Sequence, residues 1–185
     1  MDDTQAIKRL KNGDIGGLEL LIARYQEKAI RTAYLITSDN ASAEDVVQDT
    51  FVRIFHQIRH FDESRPFEPY LMQSVVHAAI NAVQKSSRTF SLDEESESQR
   101  LESLFQRAAT TEDQVEYSQL KQEIFAGLNQ LPARERAVIV ERYYLEMSEK
   151  EMAAEHSLAP GTIKWLLNTA RKHLRSILRM EGEEK

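Results

Sequence analysis

The chain has 185 residues, with 41% hydrophobic and 29% charged side chains, no cysteine and a formal net charge of -6. This composition is typical of a globular protein of one large domain or two small ones, and it excludes disulfides and thiolate metal sites. The acidic balance argues against a protein that coats nucleic acid by charge alone. Because the sequence has neither a signal-peptide core nor an apolar run of about 20 residues, we expect no direct membrane insertion and a cytoplasmic location.

The first half of the chain has the apolar periodicity of a helical bundle. Helices are predicted, in chain order, near 3–11, over 15–37, from Ser42 to the end of an apolar stripe at Ile58, and over 67–86. Ser42 is followed three residues later by an acid, Asp45, which is typical of an N-cap. The segment from Asp62 to Pro66 is predicted to be a turn, because proline favours the first turn of a following helix.

The middle of the chain changes character. Residues 86–100, SSRTFSLDEESESQR, are rich in serine and glutamate and poor in residues that can pack. Helical periodicity then returns, and helices are predicted over 114–130, 132–146, 148–156 and 160–179. We therefore predict an all-α protein with two small domains, a helical bundle at 1–86 and a helix-turn-helix domain at 114–180. A flexible acidic linker at 87–113 joins them.

The last two predicted helices have the signals of a helix-turn-helix. Ser148 and Glu151 form a capping-box pattern at the start of the first helix. Ser157 to Ala159 allows a short turn, and Pro160 suits the first turn of the second helix. Two helices joined by about 3–4 residues can place the second one in a DNA major groove.

This second helix is basic in an acidic chain. The stretch 159–180 has no Asp or Glu, and its basic residues are Lys164, Arg171, Lys172, Arg175 and Arg179. One face can seal a core through Ile163, Leu167, Ala170, Leu174 and Ile177. The other faces indicate DNA binding, although basic residues also favour a helix C-terminus as a simple solvated face. Trp165 lies among the polar residues, where packing against another domain or a partner and contact with a base both remain open.

No active site is expected. Gly13 to Gly17 lacks the Gly-Lys-Ser/Thr ending of a phosphate-binding loop. His56 and His60 are four residues apart on a helix, but no third ligand accompanies them, and the other histidines are scattered. We therefore predict a protein that is not an enzyme and has neither a metal nor a cofactor.

Segments on both sides of the linker resemble one protein family. The segment LNQLPARERAVIVERYYLEMSEKEMAAEHSLAPGTIKWLLNTARKHLRSIL resembles the C-terminal domain of group IV, or extracytoplasmic function (ECF), bacterial sigma factors of the sigma-70 family. Its telling pieces are Leu131-Pro132, Arg136-Ala137-Val138 and Gly161-Thr162-Ile163-Lys164. The segments NGDIGGLELLIARY and ASAEDVVQDTFVRIFHQIRHFD look like the first conserved helices of the same family. Together the matches cover nearly the whole chain in the expected order.

The resemblance implies a transcription initiation factor whose domains recognise different promoter elements. For the duplex minus-thirty-five (upstream) element, it implies Thr162, Lys164, Trp165, Asn168, Arg171, Lys172 and Arg175. For the minus-ten (downstream) element as it opens, it implies Arg65, Tyr70, Gln73, His77, Asn81, Lys85 and Arg88. For docking on RNA polymerase, it implies Asp45, Gln48, Asp49, Val52 and Arg53.

The partners follow from the same resemblance. They are core RNA polymerase, through its β′ clamp and its β flap, and promoter DNA. An anti-sigma factor is also implied, which in this family is often membrane-bound. The linker would thread into the polymerase, where its acidic residues Asp93, Glu94, Glu95 and Glu97 could mimic nucleic acid in a positive channel.

The chain departs from the family pattern in both recognition helices. Trp165 and Leu166 stand where a small polar residue and then a basic one are usual. Tyr70, His77 and Asn81 stand where tryptophan, arginine-asparagine and aspartate are common. Both domains keep their core positions, and the helix 160–175 remains basic. We therefore expect that these departures alter promoter specificity.

Two alternatives remain from the sequence. The first is a free-standing helix-turn-helix regulator, which would bind a duplex, usually a palindromic one, without polymerase. The second is a sigma-like interaction protein with weakened DNA recognition. Retention of core polymerase in the absence of DNA would separate a sigma factor from the first, and a gel shift with holoenzyme would separate it from the second.

Overall fold

The computed structural model describes residues 2–86 and 122–183, with side chains through 178. Helices and turns account for these residues, and no strand occurs within either range, so the predicted all-α class is confirmed. The chain divides into two compact units, Met1–Ala82 and Val83–Lys185. The predicted linker at 87–113, including its acidic residues, lies outside the described residues. Within the described ranges, no helix is long and apolar enough to cross a membrane.

The predicted helices of the first half are present. They are α1 (Asp3–Lys11), α2 (Gly16–Thr37), α3 (Asn40–Gln57), a 3-10 turn (Ile58–His60) and α4 (Phe67–Ser86). A capping box starts α1, because the Asp2 carboxylate accepts the backbone N–H of Gln5 at 2.8 Å. The packing order follows the chain, with α1 on α2 and α2 on α3.

The predicted N-cap of α3 at Ser42 is wrong. Asp39 has extended backbone angles, and its carboxylate accepts the backbone N–H of Ser42 at 2.7 Å. Ser38 ends α2 in the left-handed region with φ 60°, so the chain reverses over two residues and the next helix begins at Asn40. Asp39 is the first residue after this reversal, so its carboxylate caps the helix, and Ser42 lies inside the first turn.

The crossing of α1 and α2 depends on Gly17. A Cβ atom at this position would lie 2.3 Å from the backbone oxygen of Ala6 and 2.9 Å from the backbone nitrogen of Leu10. Both atoms belong to α1, so a side chain could fit only if the two helices moved apart. The glycine therefore sets how closely α1 covers the core.

We expect Gly17→Ala to destabilise the first unit by about 2 kcal/mol, because the added methyl group overpacks a contact made by backbone atoms. Urea unfolding followed by circular dichroism measures the change. Gly16→Ala is the matched control, because its Cβ would come closest to the far end of the Arg9 side chain, at 2.7 Å, and not to backbone atoms. Equal losses in the two variants would contradict this explanation.

An aromatic cluster fixes α4 against α2. Phe67, which is 2% exposed, lies 5.8 Å from the ring of Phe61, 5.9 Å from Tyr25 and 6.2 Å from Tyr70, measured between ring centroids. The phenol of Tyr25 also donates to the carboxylate of Asp3, and burial together with this bond raises the pKa of Tyr25 to about 12. The cluster therefore holds the first turns of α4 in the core, and farther along the helix His77, Asn81 and Lys85 are exposed.

The second unit contains α5 (122–129), α6 (Ala133–Tyr143), α7 (Glu149–Glu155) and α8 (Pro160–Glu183). The helix predicted to reach 146 ends at Tyr143, because Glu146 takes φ 57° and Arg142 donates to the backbone oxygen of Met147 at 2.8 Å. The predicted capping box of Ser148 and Glu151 is confirmed by hydrogen bonds of 2.8 and 3.2 Å.

The turn between α7 and α8 completes a helix-turn-helix. Ser157 takes φ 51°, and the backbone N–H of Leu158 donates to the oxygen of Ala153 at 2.9 Å, which closes the C-terminus of α7. The predicted apolar face of α8 is confirmed, since three of its residues are fully buried: Ile163, Leu167 and Ala170. Its polar faces therefore point away from the core of this unit.

Candidate nucleic-acid interface

The polar side of α8 is an exposed basic surface. Its exposed residues are Lys164, Trp165, Asn168, Lys172 and Arg175, and Arg171 is half-buried beside them. At 3.6 residues per turn these side chains share an arc of about 120°, on the side of the helix opposite the buried residues. Thr162 lies outside this arc, exposed in the first turn of the helix. Except for Thr162, the sequence-predicted upstream residues thus share one surface, which we call the α8 basic face.

Trp165 projects from the α8 basic face with 64% of its surface exposed. It therefore lies outside the core of its own unit. A large apolar ring exposed among cations is costly to leave in water, which favours contact with another molecule.

Arg171 is held in place by two neighbours. Its Nε donates to the phenol oxygen of Tyr143 at 2.8 Å, and its Nη1 donates to Oδ1 of Asn168 at 3.3 Å. Tyr143 is the last residue of α6 and is 59% exposed. Sequence reasoning did not identify Tyr143, because its partner is 28 residues away along the chain.

The predicted downstream residues of the first unit lie along one side of α4. Tyr70 and Gln73 are half-buried, while His77, Asn81 and Lys85 are exposed. Their spacing places them within an arc of about 120°. The rings of Tyr70 and Phe61 are 4.9 Å apart between centroids, so Tyr70 also packs in the aromatic cluster. Arg88 lies outside the described residues.

The loop before α4 is ordered by Asp62. Its carboxylate accepts the backbone N–H of Ser64 at 3.0 Å and the Ser64 hydroxyl at 2.8 Å, and these bonds hold the pKa of Asp62 below its usual range. Arg65 follows in the same turn. Its backbone N–H donates to the backbone oxygen of Asp62 at 3.1 Å, and its side chain is exposed. The loop therefore presents Arg65 at the N-terminal end of α4.

The predicted polymerase-docking residues form an exposed stripe on α3. They are Asp45, Gln48, Asp49, Val52 and Arg53, and each is exposed. Val52, at 54% exposure, is the apolar centre of this stripe, with the two carboxylates on its N-terminal side. The opposite side of α3 is buried through Val47, Phe51 and Ile54. We call these five exposed residues the α3 stripe.

A buried ion pair inside the helix-turn-helix was not predicted from the sequence. The carboxylate of Glu141, 1% exposed, accepts hydrogen bonds from Nε2 of His156 at 2.8 and 2.9 Å. These bonds raise the pKa of His156 against the opposing effect of burial. Glu141 belongs to α6 and His156 caps the end of α7, so the pair links the turn that precedes α8 to the core.

Arg136 has a related structural role in the same unit. It is 6% exposed, and its Nη2 donates to the backbone oxygens of Asn129 and Leu131 at 2.9 and 3.1 Å. Burial lowers the pKa of this guanidinium. The contact satisfies carbonyl groups at and just beyond the last residue of α5 and so ties that helix to α6.

Family comparisons agree with both halves of the chain. The sequence model of the Sigma-70 region 2 family matches residues 21–89, and that of the Sigma-70, region 4 family matches residues 121–174. The first match spans α3, α4 and the loop between them, and the second spans the helix-turn-helix as far as Leu174.

Two relatives that align over most of the chain are both ECF RNA polymerase sigma factors. The ECF RNA polymerase sigma factor SigL of Mycobacterium tuberculosis is 32% identical and aligns over 88% of this chain and 91% of its own length. The ECF RNA polymerase sigma factor SigW of Bacillus subtilis is 27% identical over 94% of this chain and 95% of its own length.

Two solved structures share the fold. CnrH, in complex with the cytosolic domain of CnrY, gives a TM-score of 0.66 at 24% identity and covers 96% of this chain and 97% of its own. The sigma factor RpoE of Bartonella quintana, in complex with the anti-sigma factor NepR, gives a TM-score of 0.63 at 20% identity, covering 87% and 96%. These two structures show the shared fold. The matches to both sigma-70 region families and the 32% identity to SigL establish that the chain belongs to the ECF sigma factors, which are transcription initiation factors and not enzymes.

Proposed function

We propose that this sigma factor binds core RNA polymerase and directs it to promoters, with α8 contacting the duplex minus-thirty-five element and α4 the opening minus-ten element. The α8 basic face is the observation that carries the proposal. It projects lysine and arginine side chains from a helix whose other side is sealed in a core, which is how a recognition helix enters a major groove.

For the α8 basic face and for Thr162 beside it, roles follow from position along the helix. Thr162, Lys164 and Trp165 lie in the first two turns, where a recognition helix meets base edges. Lys172 and Arg175 lie farther along, where cations reach phosphates. The phosphate contacts fix orientation, and the N-terminal residues supply sequence preference.

Gly161 supports a close approach of DNA to the start of α8. A Cβ atom at this position would meet nothing within 4 Å, so the fold of this unit does not require glycine there. Glycine weakens a helix relative to alanine, so its presence calls for another reason. A phosphate or base edge lying against the bare backbone supplies one.

Gly161→Ala is therefore expected to separate stability from DNA binding. The variant should stabilise the second unit by about 0.5 kcal/mol, because alanine is the better helix former. It should weaken promoter binding by holoenzyme by about 1 kcal/mol, roughly fivefold, because the methyl group crowds the interface. Thermal unfolding and a filter-binding titration measure the two effects, and unchanged affinity would count against a close approach.

For the first unit, we propose that the α3 stripe docks on the β′ clamp. An exposed apolar centre with carboxylates beside it suits a helical partner that offers apolar and basic side chains. The downstream element would be held as a single strand along Tyr70, Gln73, His77, Asn81 and Lys85, with Arg65 and Arg88 near the backbone phosphates.

The domain extents remain part of this proposal. The functional domains would occupy 1–86 and 114–180, and 87–113 would run through the polymerase as an acidic linker. The second domain would also contact the β flap. Because the chain carries net charge -6, DNA phosphates repel the chain when it is not bound to polymerase. In the holoenzyme, polymerase supplies the rest of the surface that contacts DNA.

An anti-sigma factor is the partner that we propose for regulation. Both fold relatives were solved in complexes, CnrH with the cytosolic domain of CnrY and RpoE with the anti-sigma factor NepR. A cytoplasmic location, where polymerase and promoters are found, completes the proposal, and the anti-sigma factor itself could be membrane-bound.

Run-off transcription with purified core polymerase and genomic promoter fragments tests the function. We expect transcripts that start at specific promoters only when this chain is added. If core polymerase retains the chain but opens no promoter, the interaction protein with weakened DNA recognition would be the correct alternative. If the chain protects a palindromic duplex and ignores core polymerase, the free-standing regulator would be correct.

A further inference from the structure

Trp165 lies on the side of α8 opposite the core of its unit. It is two residues from Ile163, which is about 200° around the helix. Ile163 is 0% exposed, whereas Trp165 is 64% exposed. When a helix whose other side is sealed in a core enters a major groove, the residues opposite that core face the floor of the groove. Trp165 is also in the second turn of α8, where a recognition helix contacts base edges.

The neighbours of Trp165 on the helix surface are small or polar. Residues three and four positions away lie beside it, and they are Gly161, Thr162, Asn168 and Thr169. The core of a protein–protein interface is a contiguous apolar patch, which these neighbours do not provide. DNA suits the surroundings better, because the stretch 159–180 contains lysine and arginine and no Asp or Glu. The ring therefore fits a small apolar group within a negatively charged partner.

The floor of the major groove offers such a group on one base. Base edges there present acceptors, amino donors and the C5-methyl group of thymine. The indole N–H of Trp165 is a donor, and guanine, adenine and thymine all present an acceptor, so this group does not select among them. The remainder of the ring is apolar and gains most from the methyl group, which thymine alone carries.

We infer that Trp165 contacts the C5-methyl group of one thymine in the upstream element and so determines a preference for thymine at that position. The inference rests on the proposed function of α8. It gives a role to the bulky side chain that departs from the family pattern, and it names the chemical group that this side chain recognises.

Reconstituted holoenzyme and a library of duplex promoters randomised across the upstream element locate the contact. Wild type should favour thymine at one position of one strand, and Trp165→Ala should lose that preference while the preferences at other positions stay. Because the side chain is 64% exposed, the alanine variant should keep its fold, which far-ultraviolet circular dichroism checks.

Exchange of the methyl group then tests its chemistry at the located position. Uracil differs from thymine only in lacking the methyl group, and it should weaken binding by wild-type holoenzyme about fourfold. The same exchange should leave Trp165→Ala unchanged. The comparison of the two proteins cancels any effect of the methyl group on the duplex itself. In the converse exchange, 5-methylcytosine should bind wild type more tightly than cytosine does.

Trp165→Phe separates the apolar ring from the indole N–H. Phenylalanine keeps an aromatic ring and has no donor, so this variant should still distinguish thymine from uracil. If it binds the two duplexes equally while wild type distinguishes them, the N–H group is the contact and the inference is wrong.

Two further results overturn the inference while the proposed function stands. One is equal binding of wild-type holoenzyme to thymine and uracil at every position of the upstream element. The other is a Trp165→Ala variant that binds core polymerase more weakly and keeps every base preference, which would place Trp165 in a protein interface. If wild-type holoenzyme shows no preference anywhere in the upstream element, the proposed function of α8 fails and the inference fails with it.

Discussion

Replacing His156 with alanine is expected to destabilise the second unit by about 2–3 kcal/mol. The variant leaves the carboxylate of Glu141, which is 1% exposed, without the ring that donates to both of its oxygens. Burying an unpaired charge is far more costly than losing the net attraction of the pair. The His156 side chain is itself 15% exposed, so water entering the site relieves part of the loss.

Hydrogen exchange resolved by peptide measures this effect within the full chain. Faster exchange is expected in α6, α7 and α8, with no change in α1 to α4. The control is the double variant Glu141→Leu/His156→Leu, which removes both polar groups and should be at least as stable as wild type. A double variant as unstable as His156→Ala would mean that the pair is not the source of the effect.

The same pair makes stability depend on pH. In the folded chain the hydrogen bond that His156 donates to Glu141 raises the pKa of His156 above its ordinary value of 6.5. Burial and Arg134 act in the opposite direction, and the charge of Glu155 acts in the same one. The pair with Glu141 therefore gives its full stabilisation of the folded unit below pH 6.5. This stabilisation is lost as the pH rises through the raised pKa of His156. Between about pH 6 and about pH 9, wild type should lose stability in this unit more steeply than the double leucine variant.

Val52→Glu is expected to weaken binding to core polymerase by at least about thirtyfold, that is about 2 kcal/mol, while the fold is kept. Val52 is 54% exposed, so a charged side chain can extend into water in the free chain. In the docked state the same charge would replace the apolar centre of the α3 stripe and would lie close to Asp45 and Asp49. Desolvation of this charge against the apolar side chains of the partner then opposes binding.

Fluorescence anisotropy of a labelled chain titrated with core polymerase measures this loss. Ile15→Glu is the matched control, because Ile15 is also in the first unit, is 59% exposed and lies outside the α3 stripe. The control should bind like wild type. Equal affinity of Val52→Glu and wild type would place the docking surface elsewhere on the chain.

Local signals account for the parts of the fold that sequence patterns predicted well. The capping box of Ser148 and Glu151 fixes the start of α7, and Pro160 fixes the start of α8, so both helices of the helix-turn-helix begin where they are predicted. The α3 cap was misplaced for a local reason as well, since Asp39 and Ser42 are both good caps and only the chain reversal at Ser38 decides between them.

The contacts that shape the candidate site are long-range, and no periodicity reveals them. Glu141 and His156 are 15 residues apart, and Tyr143 and Arg171 are 28 apart. Each pair joins different helices, so the partners are known only when the helices are packed. The sequence patterns therefore identified which side of α8 is polar but not which of its residues are already engaged.

The most direct test compares the free chain with reconstituted holoenzyme on one promoter duplex at about 0.15 M salt. We predict that holoenzyme protects the upstream element and opens the downstream one, while the free chain, with net charge -6, shows no sequence-specific protection. Tight, specific protection by the isolated chain, with no affinity for core polymerase, would contradict the account.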